Sequence, residues 1–186
     1  MFTRIVITLI LMWSSAAFAK DVAGVTLPET ITLGAKPLLL NGAGVRSKFF
    51  VKVYVGALYL PERRHDAEAI LRANQPVAMH MYIVHSEISK EKLVDAWNDR
   101  FDANLDAAEH ASLKARIERF NALFRSVHKG DVMRLNYLPA IGTTVSINNE
   151  TRGVIEGEDF MHAWLRIWLG KAPADGGLKQ GLLGAD

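Results

Sequence analysis

Three polar side chains gather in one short stretch of this chain: Arg46, Lys52 and Tyr54. Arg46 follows Gly42-Ala-Gly44-Val. Lys52 and Tyr54 lie two apart in a run of β-branched and aromatic residues that ends at Leu60. Residues two apart on a strand share a face, so Lys52 and Tyr54 are expected side by side on an apolar wall. A guanidinium fork matches a carboxylate, and a buried phenol needs a polar partner. The set suits two chemistries: gripping an amphipathic carboxylate, or stabilising an enolate-like oxygen. An ordinary hairpin turn with a solvated arginine is the plain alternative.

Other candidates are weaker. Gly42-Ala-Gly44-Val-Arg-Ser47 half-matches the dinucleotide fingerprint G-x-G-x-x-G, but that motif needs a helix start after the glycines, and a strand is expected here. His80 and His85 flank a strand five residues apart, so they face opposite sides and cannot share a metal. His110 and His128 suit the surface of a helical layer, and His162, beside Met161, could line a cavity. A structural or solvated role is the simpler account of each. Trp97, Trp164 and Trp168 read as core, although Trp164 and Trp168, one helical turn apart, could also floor an apolar pocket. Glu87, Asp95 and Asp99 suit a solvated helix face. No metal or cofactor is expected.

The elements that must position these residues follow from patterning. Glu29 to Leu33 and Lys36 to Asn41 read as short strands. The second is closed by a flexible Gly42-Ala43-Gly44 turn that presents Arg46. Phe49 to Leu60 reads as a long strand ended by Pro61. A short helix over Asp66 to Ala73 is capped by Asp66. The strand Val77 to Val84 places Ala78, His80, Tyr82 and Val84 on one face and Val77, Met79, Met81 and Ile83 on the other. Ser89 caps a helical run with Leu93, Trp97, Phe101 and Leu105. A second run continues from Leu113 to Val127 and is expected to end at His128, Lys129 and Gly130. Strands return at Asp131 to Leu138, Thr143 to Ile147 and Arg152 to Glu156, with Asn148-Asn149 as a hairpin turn. Glu158 to Leu169 reads as an amphipathic helix stopped by Gly170, and Ala174 to Leu183 as a short closing helix. Clustered strands with helices packed on one side make an α+β layout.

Composition narrows the setting. Met1 to Arg4, the apolar Ile5 to Trp13 and Ala17-Phe18-Ala19 form the three parts of a secretory signal peptide, with cleavage expected before Lys20. One domain is expected over residues 20–186. Removing the leader and its Arg4 leaves 21 basic side chains against 20 acidic ones. That balance supplies no long-range field for nucleic acid or for anionic membranes. With no cysteine, disulfides, thiolate metal sites and a cysteine nucleophile are all excluded. An exported fold without disulfides points to a bacterial periplasm, with no stable membrane insertion once the leader is removed.

The run Gly42-Ala-Gly44-Val-Arg46, followed by Lys52-Val-Tyr-Val-Gly-Ala-Leu-Tyr59-Leu60, resembles the glycine-arginine turn and next strand of the chalcone isomerase fold. Phe120-Asn-Ala-Leu-Phe124, Lys129-Gly-Asp-Val, Leu169-Gly170 and Leu178-Lys-Gln-Gly-Leu-Leu183 match later parts of that family in order. The resemblance is nearest to bacterial exported chalcone isomerase-like proteins. It implies an open-faced β-sandwich of the chalcone isomerase type, a long antiparallel sheet under a helical layer. It also implies that Arg46 occupies the place of the isomerases' oxyanion-stabilising arginine. Tyr54 stands where they carry a water-organising threonine, and Ile167 where a helical threonine or serine contacts substrate. The family's tyrosine and asparagine come from the helical middle, where Asn98, Phe101, Asn104 and Asn121 lie.

Loss of helper hydroxyls weakens an oxyanion mechanism. The resemblance then points to the fatty-acid-binding branch, where an arginine and a tyrosine hold the carboxylate. The expected site is Arg46 and Tyr54 with Lys52 in support, and Ile167 and Trp164 beside the ligand. The expected partner is a small amphipathic ligand such as a fatty acid. Two readings stand against it: an isomerase or intramolecular lyase acting through Arg46 on a phenolic or enone substrate, and a structural protein whose Arg46 and Tyr54 are solvated or paired with carboxylates.

Overall fold

The computed structural model describes residues 19–184. The expected signal peptide lies outside the described residues except for Ala19, the last residue of its expected cleavage signal. The described residues open with a hairpin of β1 (Ala19–Val22) and β2 (Val25–Pro28), ahead of the first expected strand. It continues through β3 (Thr30–Leu33), β4 (Lys36–Lys48), β5 (Val51–Leu60), α1 (Ala67–Arg72) and β6 (Val77–Ile83). Next come β7 (Glu87–Ile88), α2 (Lys90–Asn104), α3 (Ala107–Ala122) and β8 (Val127–His128). The chain ends with β9 (Val132–Leu138), β10 (Gly142–Ile147), β11 (Glu150–Ile155), α4 (Glu158–Leu169) and α5 (Gly176–Leu182).

Seven strands form one antiparallel sheet in the order β11-β10-β9-β6-β5-β4-β3. The expected alternation of β6 holds. Val77, Met79, Met81 and Ile83 join the core under the helices, while Ala78 belongs to a second cluster on the opposite face with Leu27, Val55, Ala57 and Tyr59. The α+β layout is therefore an antiparallel sheet with helices over one face and the short entry hairpin over part of the other.

Helix α4 occupies its expected span and stops at Gly170. Phe160, Met161, Ala163, Trp164, Leu165, Ile167, Trp168 and Leu169 are all buried, so it is apolar on nearly every side. Such a helix belongs in an interior, and α4 packs against α1, α2 and β10. Asp66, Ser89, Asp106 and Asp175 cap the other helices through side-chain oxygens that accept backbone N–H bonds.

Three expectations near the site are corrected. The glycines do not form a turn. Gly42 and Gly44 lie in the middle of the 13-residue β4, where α5 crosses. A Cβ on Gly42 would sit 2.2 Å from the carbonyl oxygen of Gly181, and one on Gly44 3.3 Å from Leu178. Glycine is required there by close approach of two backbones.

The turn falls later, at Phe49 and Phe50. Both have left-handed φ, 49° and 66°, as a two-residue hairpin connection demands. Side chains at such φ cost about 1–2 kcal/mol each. Third, α3 ends at Ala122. Val127, which continued its apolar spacing, instead pairs with Ile88 in the β7–β8 ladder.

Candidate functional site

Arg46 on β4 lies directly across from Tyr54 on β5, and both face the helices. The guanidinium carbon is 5.8 Å from the centre of the Tyr54 ring, within reach of a cation–π attraction. Tyr54 is buried, and its hydroxyl accepts a 2.8 Å hydrogen bond from Nε1 of Trp168. Burial pushes its phenol up to about 12, against the opposing influences of Arg46 and the Trp168 bond, so the group stays protonated. Its own O–H proton has no acceptor among the described residues.

Beyond its attraction to the Tyr54 ring, the Arg46 side chain makes no hydrogen bond among the described residues. No described carboxylate lies within ion-pair distance, and its buried Nε has no hydrogen-bond partner. The nearest ordering device is Asp175. Its carboxylate accepts from Ser47 N at 3.2 Å and from Leu178 N at 2.9 Å, tying the start of α5 to the end of β4.

Two neighbouring spaces share Arg46 as a lining residue. A small cavity of about 30 Å³ is bounded by Arg46, Tyr54, Lys92, Trp97 and Arg100, with aliphatic walls from Ile88, Leu93 and Ala174. It has room for roughly one or two waters, or for the oxygens of one carboxylate. Nε1 of Trp97 is a second buried donor without an acceptor. Two orphaned N–H groups thus belong to residues lining one small cavity beside a free phenol proton. Buried donors are nearly always satisfied in folded proteins, and an anionic oxygen would satisfy these.

Outside it lies a cleft of about 460 Å³, between the β4–β5 hairpin and α2. Arg46, Ile88, Lys92 and Ala96 border both spaces. Phe49, Val51 and Val53 form the apolar wall of the cleft, and Glu87, Asp95 and Asp99 line its other side. Its size falls in the range of small-molecule sites. Further inward, Trp97, Trp168, Phe120 and Phe124 fill the space between sheet and helices.

The expected site is only partly assembled. Arg46 and Tyr54 meet. Lys52 does not join them: β5 bulges opposite the Arg46–Ser47 step, so Tyr54 pairs with Arg46 and Lys52 with Ser47. Val53 and Tyr54 consequently both pack toward the helices, and Lys52 borders neither space. A bulge adds one residue and breaks the two-residue alternation.

Ile167 and Trp164 also miss the site. Both are fully buried in the core, and Trp164 Nε1 donates to Thr143 Oγ1 at 2.9 Å. Trp97, Lys92 and Arg100 of α2 take their place. The spacing of Trp97 from Leu93 and Phe101 marked it as core, and only its unpartnered N–H sets it apart. In the helical middle, Asn121 bonds Asn98, and Asn104 clamps Ala172 and Arg100 through their backbones.

No histidine lines the small cavity. His80 lies on the opposite sheet face, its ring centre 5.1 Å from that of Tyr59 and tilted by 49°, and is bonded to Asn136 Oδ1 at 3.1 Å. Burial lowers its ring to about 4, so it is neutral. His85 borders the outer cleft, while His162 faces a separate cavity with Glu109 and Arg166. Among the described residues no group of three or more His, Asp or Glu side chains is placed to hold a metal. No described helix is long and apolar enough to cross a membrane.

A family model described as chalcone isomerase-like matches residues 19–184. Among solved structures, a fatty-acid binding protein of Arabidopsis thaliana superposes with a TM-score of 0.71 at 13% identity, over 90% of this chain and 97% of that one. At that identity the likeness concerns the fold. No curated protein matches the chain in sequence.

Proposed function

This chain belongs to the chalcone isomerase-like family, and from that membership we propose that it is an exported, periplasmic, non-catalytic binder of a fatty acid or similar amphipathic carboxylate. One observation carries the reading: Arg46 is a guanidinium without a carboxylate, with its Nε buried and unpartnered, set over a buried phenol at the inner end of a cleft. In a purely structural arginine a buried nitrogen is hydrogen-bonded. The ligand carboxylate sits in the small cavity, taking N–H bonds from Arg46 and the O–H of Tyr54. Charge-assisted bonds of this kind contribute about 1.5–3 kcal/mol each. The hydrocarbon runs outward along Val53, Val51 and Ile88. The fatty-acid binding protein that shares the fold supports this ligand class, and the leader pattern supports export.

The isomerase reading places a developing oxyanion where the carboxylate sits. What favours binding is the state of the two helper positions. Tyr54 puts a bulkier phenol, engaged by Trp168, where the isomerases carry a water-organising threonine, and Ile167, where they carry a hydroxyl, is an aliphatic side chain in the core. The hydroxyl missing at Ile167 costs about 3–4 kcal/mol of transition-state stabilisation if it serves as an oxyanion donor.

Native mass spectrometry of protein isolated from its own periplasm tests the binding reading, together with titration of the delipidated protein with dodecanoate. Co-purified fatty acid and saturable, one-site binding are expected. A lipid-free spectrum with no dodecanoate binding would overturn it. Turnover of a chalcone that disappears in Arg46→Ala would establish the isomerase instead.

A further inference from the structure

The tip of the β4–β5 hairpin has no task in the fold. Phe49 is 86% exposed and Phe50 105%, as open as in a free peptide, and Val51 is half-exposed. Neither phenylalanine belongs to either core cluster. Both occupy left-handed positions that glycine, asparagine or aspartate fill at less cost. Backbone strain combined with wasted apolar surface points to a use outside the folded chain.

The flanking charges say what that use is. Lys48 and Lys52 bracket the aromatic pair, and neither forms an ion pair among the described residues; Lys48 Nζ lies 5.9 Å from the Phe49 ring centre. Aromatic rings with cations just behind them match the layering of a lipid surface, apolar below and anionic above. A protein partner fits less well, because a stable interface needs roughly 800 Å² from each side and this is a convex point of three residues. Glu87, Asp95 and Asp99, on the opposite wall of the cleft, are repelled by an anionic surface and keep α2 turned away.

We propose that the segment from Lys48 to Lys52 docks the protein on an anionic bilayer. Phe49 and Phe50 enter the interface, and the two lysines meet the headgroup phosphates. Phe49 and Val51 also wall the cleft, so docking sets the mouth of the cleft against the acyl layer. A poorly soluble ligand then passes between bilayer and Arg46 without crossing water. This transfer step rests on the binding reading above, whereas the docking does not.

Flotation of the mature chain with phosphatidylcholine vesicles, with and without phosphatidylglycerol, tests the proposal. Binding to the anionic vesicles is expected, and added salt should weaken it. Phe50 does not border the cleft, so Phe50→Ser should weaken partitioning about tenfold and leave dodecanoate affinity in vesicle-free buffer unchanged. Phe50→Gly should lose partitioning equally while unfolding no earlier than the parent, which separates docking from misfolding. Failure of the parent to float with anionic vesicles overturns the proposal. So does an aromatic-dependent dimer in sedimentation that takes the place of vesicle binding. A protein that floats but ignores dodecanoate supports the docking and sinks the ligand reading alone.

Discussion

Replacing Arg46 with methionine should make the unliganded protein slightly more stable and a much poorer binder. Methionine keeps an apolar stem of similar reach against the hairpin. The folded state loses the attraction of the guanidinium for the Tyr54 ring at 5.8 Å, about 0.5–1 kcal/mol at a half-exposed site. It also sheds a buried Nε that has no acceptor, and such a group costs about 1–3 kcal/mol. The difference favours the variant by about 1 kcal/mol, a rise of roughly 2–4 °C in Tm for a domain of this size. Ligand binding loses at least one charge-assisted hydrogen bond of about 1.5–3 kcal/mol, or about 10- to 150-fold in Kd. Urea unfolding of the delipidated protein and calorimetric titration with dodecanoate measure the two halves separately. A variant that is destabilised by more than about 1 kcal/mol yet binds normally would refute the reasoning, since Arg46 would then be a structural residue.

Tyr54→Phe should act in the opposite direction on stability. It strips the only acceptor from Trp168 Nε1 in a buried setting, at about 1–3 kcal/mol, and an unchanged urea midpoint would disprove the importance of that bond. The neutral His80 gives a pH signature. Its folded pKa of about 4 lies below the ordinary 6.5, so the unfolded chain binds the extra proton between those values. Stability should be full above pH 6.5 and fall by roughly 3 kcal/mol as pH drops toward 4. His80→Gln should flatten that part of the curve. Gly42→Ala drives a Cβ into the Gly181 carbonyl and should cost about 3 kcal/mol or more. Gly177→Ala, on the open side of α5, should gain up to about 1 kcal/mol; thermal unfolding of the pair checks both.

Local periodicity was a good guide wherever one face of an element meets one environment. The bounds of α4, the two faces of β6 and the caps Asp66 and Ser89 all follow from side-chain spacing and hydrogen-bonding chemistry. What escaped is information held by distant residues. Gly42 and Gly44 look like turn glycines because a turn is the usual reason for two glycines so close. Here the reason is α5, more than 130 residues further along. The true turn escaped because two phenylalanines contradict the chemistry of left-handed positions. The β5 bulge leaves no mark in composition, yet it alone decides that Lys52 faces away while Val53 and Tyr54 turn inward. Arg46 and Tyr54 were legible because each stands in a recognisable stretch. Trp97 was not, since a core tryptophan and a ligand-facing one have the same spacing.

Three of the four tryptophans of the chain form one contiguous group, the fourth, Trp13, lying outside the described residues. Trp168 stands 5.8 Å from Trp97 and 6.0 Å from Trp164, close to edge-on to both. Its indole N–H ends on the Tyr54 hydroxyl, the group next to Arg46, and Trp97 borders the small cavity itself. Chromophores this close share excitation, so the tryptophan dichroism and emission of residues 20–186 belong to the trio as a unit. Any change in polarity or hydrogen bonding at Tyr54 is passed to that unit through one bond. The site therefore comes with its own optical readout, and occupancy can be followed without attaching a dye.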